Sequence, residues 1–449
     1  LFDVRFAGLV FASSCFNFLM AGLVHHAHGQ ILKRSYLGLA LLFNLILLGV
    51  FKYFGFFSQS FAPLLTELGF ERDLTWLNIA VPVGISFFTL QAVSYQIDVY
   101  RGKLAAEDSL LDLHLLLSFF PKLVAGPLVR PENFRSQFKT KISLTRHMVT
   151  SGLVLILIGL VKKLVVADTL AHELVDKVFI DPVGHSSLDV ICAVYALAIQ
   201  LYCDISGYCD LAIGSALLLG VKIRQNFDRP FSARSLVDFW SRWYSSLTRF
   251  FVEYVYHPLG GSAGGMMQAG RNIFLTLLFA AWWHGTSLNF VAFFLFHAVF
   301  ICAELFVARL KPAPVALQGG YGAHPMGQVL TGGERGLRIF APVFTTLLTF
   351  HLVCFGWVIF KSQDLGTIGQ LLNSLSSIDM SFVLRMPYLG LLMVASFSMY
   401  FLPQIFWQMT ATRFSKLNAI YVGLFTGLCI LAIQCFGSPK VKPFIYSGF

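Results

Sequence analysis

Apolar residues run along this chain in blocks of about 20, the length a helix needs to cross the hydrocarbon core of a bilayer. The blocks are 6–24, 36–57, 76–95, 110–129, 150–168, 188–203, 206–221, 272–283, 284–307, 339–360, 387–402 and 419–435. They predict an all-α, polytopic integral membrane protein with about ten to twelve embedded helices. Some of these are expected to be broken or re-entrant. Pro82 and Gly84 interrupt the third block, and Pro121, Gly126 and Pro127 the fourth. Residues 188–221 are too many for one crossing, and Asp204, Ser206, Gly207 and Asp210 fall in their middle. Irregular backbone at membrane depth is tolerated only where protein or water covers it, so the breaks predict a central funnel.

Residues 235–257 follow a different rule. Leu236, Phe239, Trp240, Trp243, Leu247, Phe250, Phe251 and Tyr254 fall on one face of a 3.6-residue period, with Arg242, Ser245, Ser246, Arg249 and Glu253 opposite. This predicts one amphipathic helix lying in the membrane interface, started by a capping box of Ser235 and Asp238. Residues 312–335 are rich in Gly and Pro and read as a loop. No internal repeat is evident, so 1–449 is read as a single integral domain. Leu1 leads almost at once into an apolar block, which implies a true N-terminus further upstream.

Composition agrees with the pattern. The chain is 56% hydrophobic and 12% charged, with a mean hydropathy of +0.71, whereas soluble domains carry about 25% charged residues. The net charge of +10 sits in loops between apolar blocks. Residues 130–147 hold Arg130, Arg135, Lys139, Lys141 and Arg146 against Glu132 alone. Residues 222–249 hold Lys222, Arg224, Arg229, Arg234, Arg242 and Arg249 against Asp228 and Asp238. Both loops are predicted to face the cytoplasm, with an even number of crossings between them. Positive charge in such loops orients the chain, and with no nucleic-acid-binding motif present it points to no nucleic-acid partner. None of the eight cysteines forms a CxxC pair, which argues against zinc and against a disulfide framework.

The sharpest chemical signal is "FAAWWHGTSLNFVAFFLFHAVF", residues 279–300, which sets two histidines in an apolar run. An ionisable group inside a membrane usually faces a cavity or a partner. Neutral imidazole can be buried and can take a proton from a hydroxyl, so His284 is a candidate general base; a hydrogen-bonded structural histidine is the plainer alternative. His297 lies thirteen residues on, about 220° beyond three full turns, so on one straight helix the two would face opposite sides. Only a break near Gly285 or separate helices would join them, and no metal site is predicted. "DISGYCD", residues 204–210, offers two carboxylates and is read as a polar helix break. There is neither a GxSxG elbow nor a phosphate-binding Walker loop.

Six blocks in order carry a resemblance: "PVGISFFTLQAVSYQIDVYRG", "FFPKLVAGPLVRPENF", "DISGYCDLAIG", "NFDRPFSARSLVDFWSRWYSSLTRFFVEYVYHPLGG", "WWHG" and "FGWVIFKSQDL". Together they resemble the membrane-bound O-acyltransferase family, nearest to its bacterial alginate O-acetylation subunits. The resemblance implies an acyltransferase with a funnel near the bilayer middle. Its essential histidine would be His284 and its second histidine His297. Trp283, Asn226, Trp240, Arg242 and Tyr244 fall in the matched blocks as further substrate-binding candidates. Many bacterial members carry histidine where this chain has Tyr244, so no second-histidine role transfers to that position. The implied donor is acetyl-CoA or another acyl thioester, with no tightly bound cofactor. The implied setting is the bacterial inner membrane, in contact with lipid, a periplasmic acetyltransferase partner and an exopolysaccharide. Transfer of D-alanyl, or of acetyl to peptidoglycan or cellulose, fits the same blocks. A transporter without chemistry, which would predict an inverted repeat, and a partner that has lost catalysis are the readings outside the enzyme class.

Overall fold

The computed structural model describes residues 4–67, 82, 84–138, 142–310, 337–376, 386–401, 413–414, 416, 418–438 and 441–445. The helices are α1 (Val4–His26), α2 (Gln30–Glu67), α3 (Ile85–Tyr100), α4 (Leu110–Ser118), α5 (Arg146–Ile180), α6 (Ser187–Leu218), α7 (Leu236–Arg242), α8 (Ser245–Phe251), α9 (Gly265–His284), α10 (Leu288–Leu310), α11 (Leu337–Lys361), α12 (Leu365–Ser374), α13 (Pro387–Phe401) and α14 (Ala419–Phe436). There is no strand among the described residues. Six helical stretches are long and apolar enough to cross a bilayer: Val4–His26, Gln30–Tyr53, Arg146–Ile180, Ser187–Leu218, Leu288–Ala308 and Pro342–Lys361. Pro387–Tyr400 and Ile420–Phe436 are shorter apolar helices. The chain is a multi-pass, all-α membrane protein. The loop read at 312–335 and the start of the third block, 76–81, lie outside the described residues.

The breaks read from proline and glycine occur where the sequence puts them. α3 begins only after Gly84, whose φ of 82° is left-handed. α4 stops at Ser118, a single turn follows at Phe120–Leu123, and the chain then runs extended past Pro127.

The break expected at 204–210 does not occur. Residues 187–218 form one continuous helix of 32 residues, α6, opened by a complete Ser186–Asp189 capping box. The polar residues in its middle face α5 instead of opening the backbone. Lys162 pairs with Asp210 at 2.6 Å, and Lys163 with Asp204 at 2.6 Å and with Asp168 at 2.9 Å. Glycines make room for this contact. A Cβ on Gly159 would lie 2.6 Å from the Gly207 carbonyl oxygen, and one on Gly152 2.8 Å from that of Gly214. Small residues seven apart on both helices let the backbones touch, as small-residue interfaces do in membranes. In α5 the Lys-bearing stretch is wound as π-helix, Val161–Ala167, a distortion frequent at functional or tightly packed sites.

Two whole helices, α5 and α6, lie between the two basic loops, where a re-entrant segment was expected. Gln137 ties the loops together: its amide donates to the Lys222 carbonyl at 3.1 Å and accepts from the Lys222 N–H at 2.8 Å.

The single amphipathic helix expected at 235–257 is two helices and a π-turn. α7 ends at Arg242, α8 starts at Ser245, and Val252–Tyr256 is π-helical. Between them Tyr244 adopts φ 44°, a conformation costly for a bulky residue. Asn226 holds the corner: its carbonyl accepts from Ser245 N–H at 2.9 Å and its side-chain oxygen from Ser246 N–H at 3.1 Å. Ser235 caps α7 through Asp238 N–H at 3.0 Å, but Asp238 returns its oxygen to Arg234 N–H, so the box does not close on Ser235. The apolar face turns into the protein, with Phe239, Trp243, Leu247 and Phe250 all buried. Lipid is not what this face meets.

Candidate active site

His284 is the last residue of α9, and Gly285 ends the helix. A Cβ on Gly285 would come within 2.9 Å of the Phe290 ring, so the bare backbone lets α10 start close by. The imidazole is buried, 5% exposed, inside a shell of aromatic rings. Trp283 stands at 4.9 Å and nearly perpendicular, Phe294 at 5.1 Å, Phe290 at 5.9 Å and Phe360 at 6.0 Å between centroids. Trp283 is fixed in turn: its indole N–H donates to the Ser86 carbonyl at 3.3 Å, and its ring meets Phe87 edge-on at 5.5 Å.

His297 belongs to a second environment. The helix break at Gly285 separates α9 from α10, yet the two histidines do not converge. Ring contacts lead from His284 to Phe294, on to Phe293 at 5.0 Å, and from Phe293 to His297 at 4.6 Å. His297 accepts a hydrogen bond at Nδ1 from the Trp240 indole at 3.3 Å. Its Nε2 faces α11, where a Cβ on Gly356 would lie 2.7 Å away. Among the described residues no group of three or more His, Cys, Asp or Glu could hold a metal.

The remaining candidates divide in the same way. Trp240 packs on His297. Tyr244 donates its hydroxyl to the Ala125 carbonyl at 2.7 Å and touches Phe87 at 6.1 Å, which also touches Trp283. Arg242 is spent on Asp238, Nε to Oδ1 at 2.6 Å, and lines no described cavity. Asn226 lines a cavity of about 610 Å³.

This cavity was not legible in the sequence. Gln91 and Ser94 of α3 line it together with Arg130, Lys222, Arg224, Arg249, Glu132, Glu253 and Tyr254. Glu253 is already engaged by Lys103 at 2.6 Å and Arg130 at 2.5 Å. Burial works against its charge, but the Lys103 hydrogen bond and the charges of Arg130, Lys103 and Arg101 prevail and hold its carboxyl below the usual carboxylate range. Burial, then the charges of Arg130 and Arg224, push the Arg249 guanidinium down from its ordinary value. No carboxylate among the described residues lies in salt-bridge range of Lys222, Arg224 or Arg249. The volume suits a small-molecule site, and the uncompensated cations suit an anion. α3 links the two regions. Gln91 is at the cavity, and Phe87, one turn or about 6 Å earlier, is against Trp283.

Residues 108–320 match the model of the membrane-bound O-acyltransferase family. A probable alginate O-acetylase of Pseudomonas syringae pv. tomato is 32% identical over 344 residues, covering 77% of this chain and 61% of that protein. A peptidoglycan O-acetyltransferase of Helicobacter pylori is 30% identical over 404 residues, 84% of this chain and 71% of the relative. A probable alginate O-acetylase of Azotobacter vinelandii is 33% identical over 379 residues, 83% and 69% respectively. The chain thus spans about 61% of the length of the Pseudomonas relative.

Proposed function

Because the chain belongs to the membrane-bound O-acyltransferase family, we propose that it carries an acetyl group from a cytoplasmic thioester to a polysaccharide outside the inner membrane of a bacterium, with alginate as the acceptor. One observation carries this reading: on α3, Gln91 lines the cation-lined cavity, and Phe87, one turn earlier, packs on Trp283, which in turn packs on the buried His284. The donor is acetyl-CoA or another acyl thioester. Its phosphates suit Lys222, Arg224 and Arg249 at the cavity. The positive-inside rule favours a cytoplasmic opening.

The reaction uses His284 as general base. Its imidazole takes the proton of the accepting hydroxyl as that oxygen bonds to the acyl carbon and the carbonyl electron pair moves onto oxygen. When the pair returns, the carbon–sulfur bond breaks, and the leaving thiolate takes the proton from the imidazolium. The hydroxyl belongs to the polymer or to a periplasmic acetyltransferase partner that modifies it. The Helicobacter relative, similar over 84% of this chain, favours peptidoglycan as the second reading for the acceptor.

Complementing a deletion strain with His284→Gln and His284→Ala tests the assignment. A general base contributes on the order of 10²–10⁴-fold, so both variants should insert at normal yield and leave the polymer without O-acetyl groups. Near-normal acetylation by His284→Gln refutes the role. Polymer analysis of the same strains separates alginate from peptidoglycan.

A further inference from the structure

The last turn of an α-helix leaves carbonyls without intrahelical donors. At the end of α9 they belong to the residues just before the His284 ring. Gly285 N–H takes the Ala281 carbonyl at 3.1 Å. The next two are taken by neighbouring residues of α2: the Tyr53 hydroxyl donates to the Trp282 carbonyl, and the Lys52 ammonium to the Trp283 carbonyl. The same side chains grip the tryptophan rings. Tyr53 stacks on Trp282 with centroids 5.4 Å apart and planes 19° apart, and Lys52 Nζ lies 5.3 Å from the centre of the Trp283 ring.

The two caps differ in an informative way. Tyr53 satisfies its carbonyl without charge. Lys52 does the same task with an ionisable amine carried by a membrane-spanning helix, where holding a charge is expensive and no carboxylate among the described residues offsets it. A helix C-terminus favours a cation, but a neutral donor would fill the carbonyl as well. The charge is therefore in excess of what capping requires. The groups beside it that become negative are those of acyl transfer: the carbonyl oxygen on attack and the sulfur on departure.

We propose that Lys52 and Tyr53 are positioning residues for His284. They clamp the last turn of α9 from α2 and aim the imidazole, and the Lys52 charge stabilises the anions that form beside it. This rests on the acyl-transfer reading. It assigns a role to "KY" at residues 52–53, which lie more than 200 positions from the histidine they serve.

Four variants test it, with polymer acetylation, membrane yield and hydrogen exchange over residues 280–286 as readouts. Lys52→Gln keeps a donor for the Trp283 carbonyl and drops the charge; it should keep normal yield and slow exchange, yet acetylate about 100–1,000-fold more slowly, the order of loss for one electrostatic stabiliser. Lys52→Arg keeps charge and donor and should stay within a few-fold of wild type. Lys52→Met and Tyr53→Phe should speed exchange at residues 282–285. Full activity of Lys52→Gln, an equal loss in Lys52→Arg, or unchanged exchange in both Lys52→Met and Tyr53→Phe overturns the proposal. His284→Gln in the same strain keeps the two readings apart. If it is inert while Lys52→Gln is fully active, only the present inference fails; if it acetylates normally, the catalytic reading fails first.

Discussion

Charge gathers in two regions of this protein and is treated oppositely in each. Between α5 and α6 every cation meets a carboxylate: Lys162 with Asp210, and Lys163 with both Asp204 and Asp168. The chain's end closes over the second cluster, as Asp204 also accepts Ile445 N–H at 2.7 Å and Lys163 Nζ reaches the Pro443 carbonyl at 3.3 Å. At the end of α9 and around the cavity the cations are left over. Lys52 meets a carbonyl, and Lys222, Arg224 and Arg249 face a cavity. A closed set of charges has nothing further to bind and holds helices together. An open set keeps its charge available: Lys222, Arg224 and Arg249 are exposed at the cavity, where an anionic ligand would complete it. The first region should therefore answer to mutation in stability, the second in substrate use.

Lys163→Met is the strongest test of that division. It leaves Asp168 and Asp204 buried and facing each other, both 5% exposed or less, and breaking a buried pair from one side costs about 3–5 kcal/mol. Yield and melting temperature in detergent should fall sharply. Replacing the whole set, Lys163→Met with Asp168→Asn and Asp204→Asn, should recover much of the loss, because removal of an entire buried ion cluster is often near neutral. A stable Lys163→Met protein that cannot acetylate would move this cluster into the functional region and break the comparison.

The same division explains what could be read from the sequence. The buried place of His284 at a helix end was legible because a histidine in an apolar block stands out and Gly285 marks the end beside it. Proline and glycine at 82, 84, 121, 126 and 127 were legible because their constraint is local. Asp204 and Asp210 were misread as a break, since a carboxylate looks the same whether it opens a helix or pairs with a lysine about 41–48 residues away. The 235–257 period was real, but it could not show whether lipid or protein covers the apolar face, nor that Asn226 would cap a second start at Ser245. Lys52 and the convergence of the basic loop residues on one cavity were illegible for the reason that makes them useful. They come from α2, the loop after α4, the end of α6 and α8, and only the fold gathers them.

The open region is sharpened by Arg224→Ala combined with Arg249→Ala. Charged hydrogen bonds contribute about 1.5–3 kcal/mol each, so the pair should raise KM for acetyl-CoA by at least about tenfold in membrane vesicles, with kcat little changed and a weaker dependence on salt. Arg242→Ala, which removes a partner of Asp238 and lines no part of the cavity, should leave KM near wild type. Equal KM effects at Arg242 and Arg249 would erase the distinction between spent and available cations.

The smallest expected effect lies at the border between the two kinds of charge. Glu253 is a paired carboxylate set in the wall of the open cavity, bridging Lys103 and Arg130 while the next residue, Tyr254, donates to Asp98 at 2.7 Å. Its cations hold its carboxyl below the ordinary range in the folded protein, near 4.3 when unfolded. A depressed carboxyl contributes stability above its unfolded value and loses that contribution as pH falls through the folded one. Lys103 and Arg130 are about half exposed, so solvent screens the bridges and each contributes roughly 0–1 kcal/mol. Wild type should therefore melt slightly above Glu253→Gln at pH 7, and the gap should close below about pH 4. High salt should narrow it at any pH. A gap that persists unchanged on acidification would mean that Glu253 acts by shape and not by charge, and that the cavity wall does not borrow from the closed region's way of holding the fold.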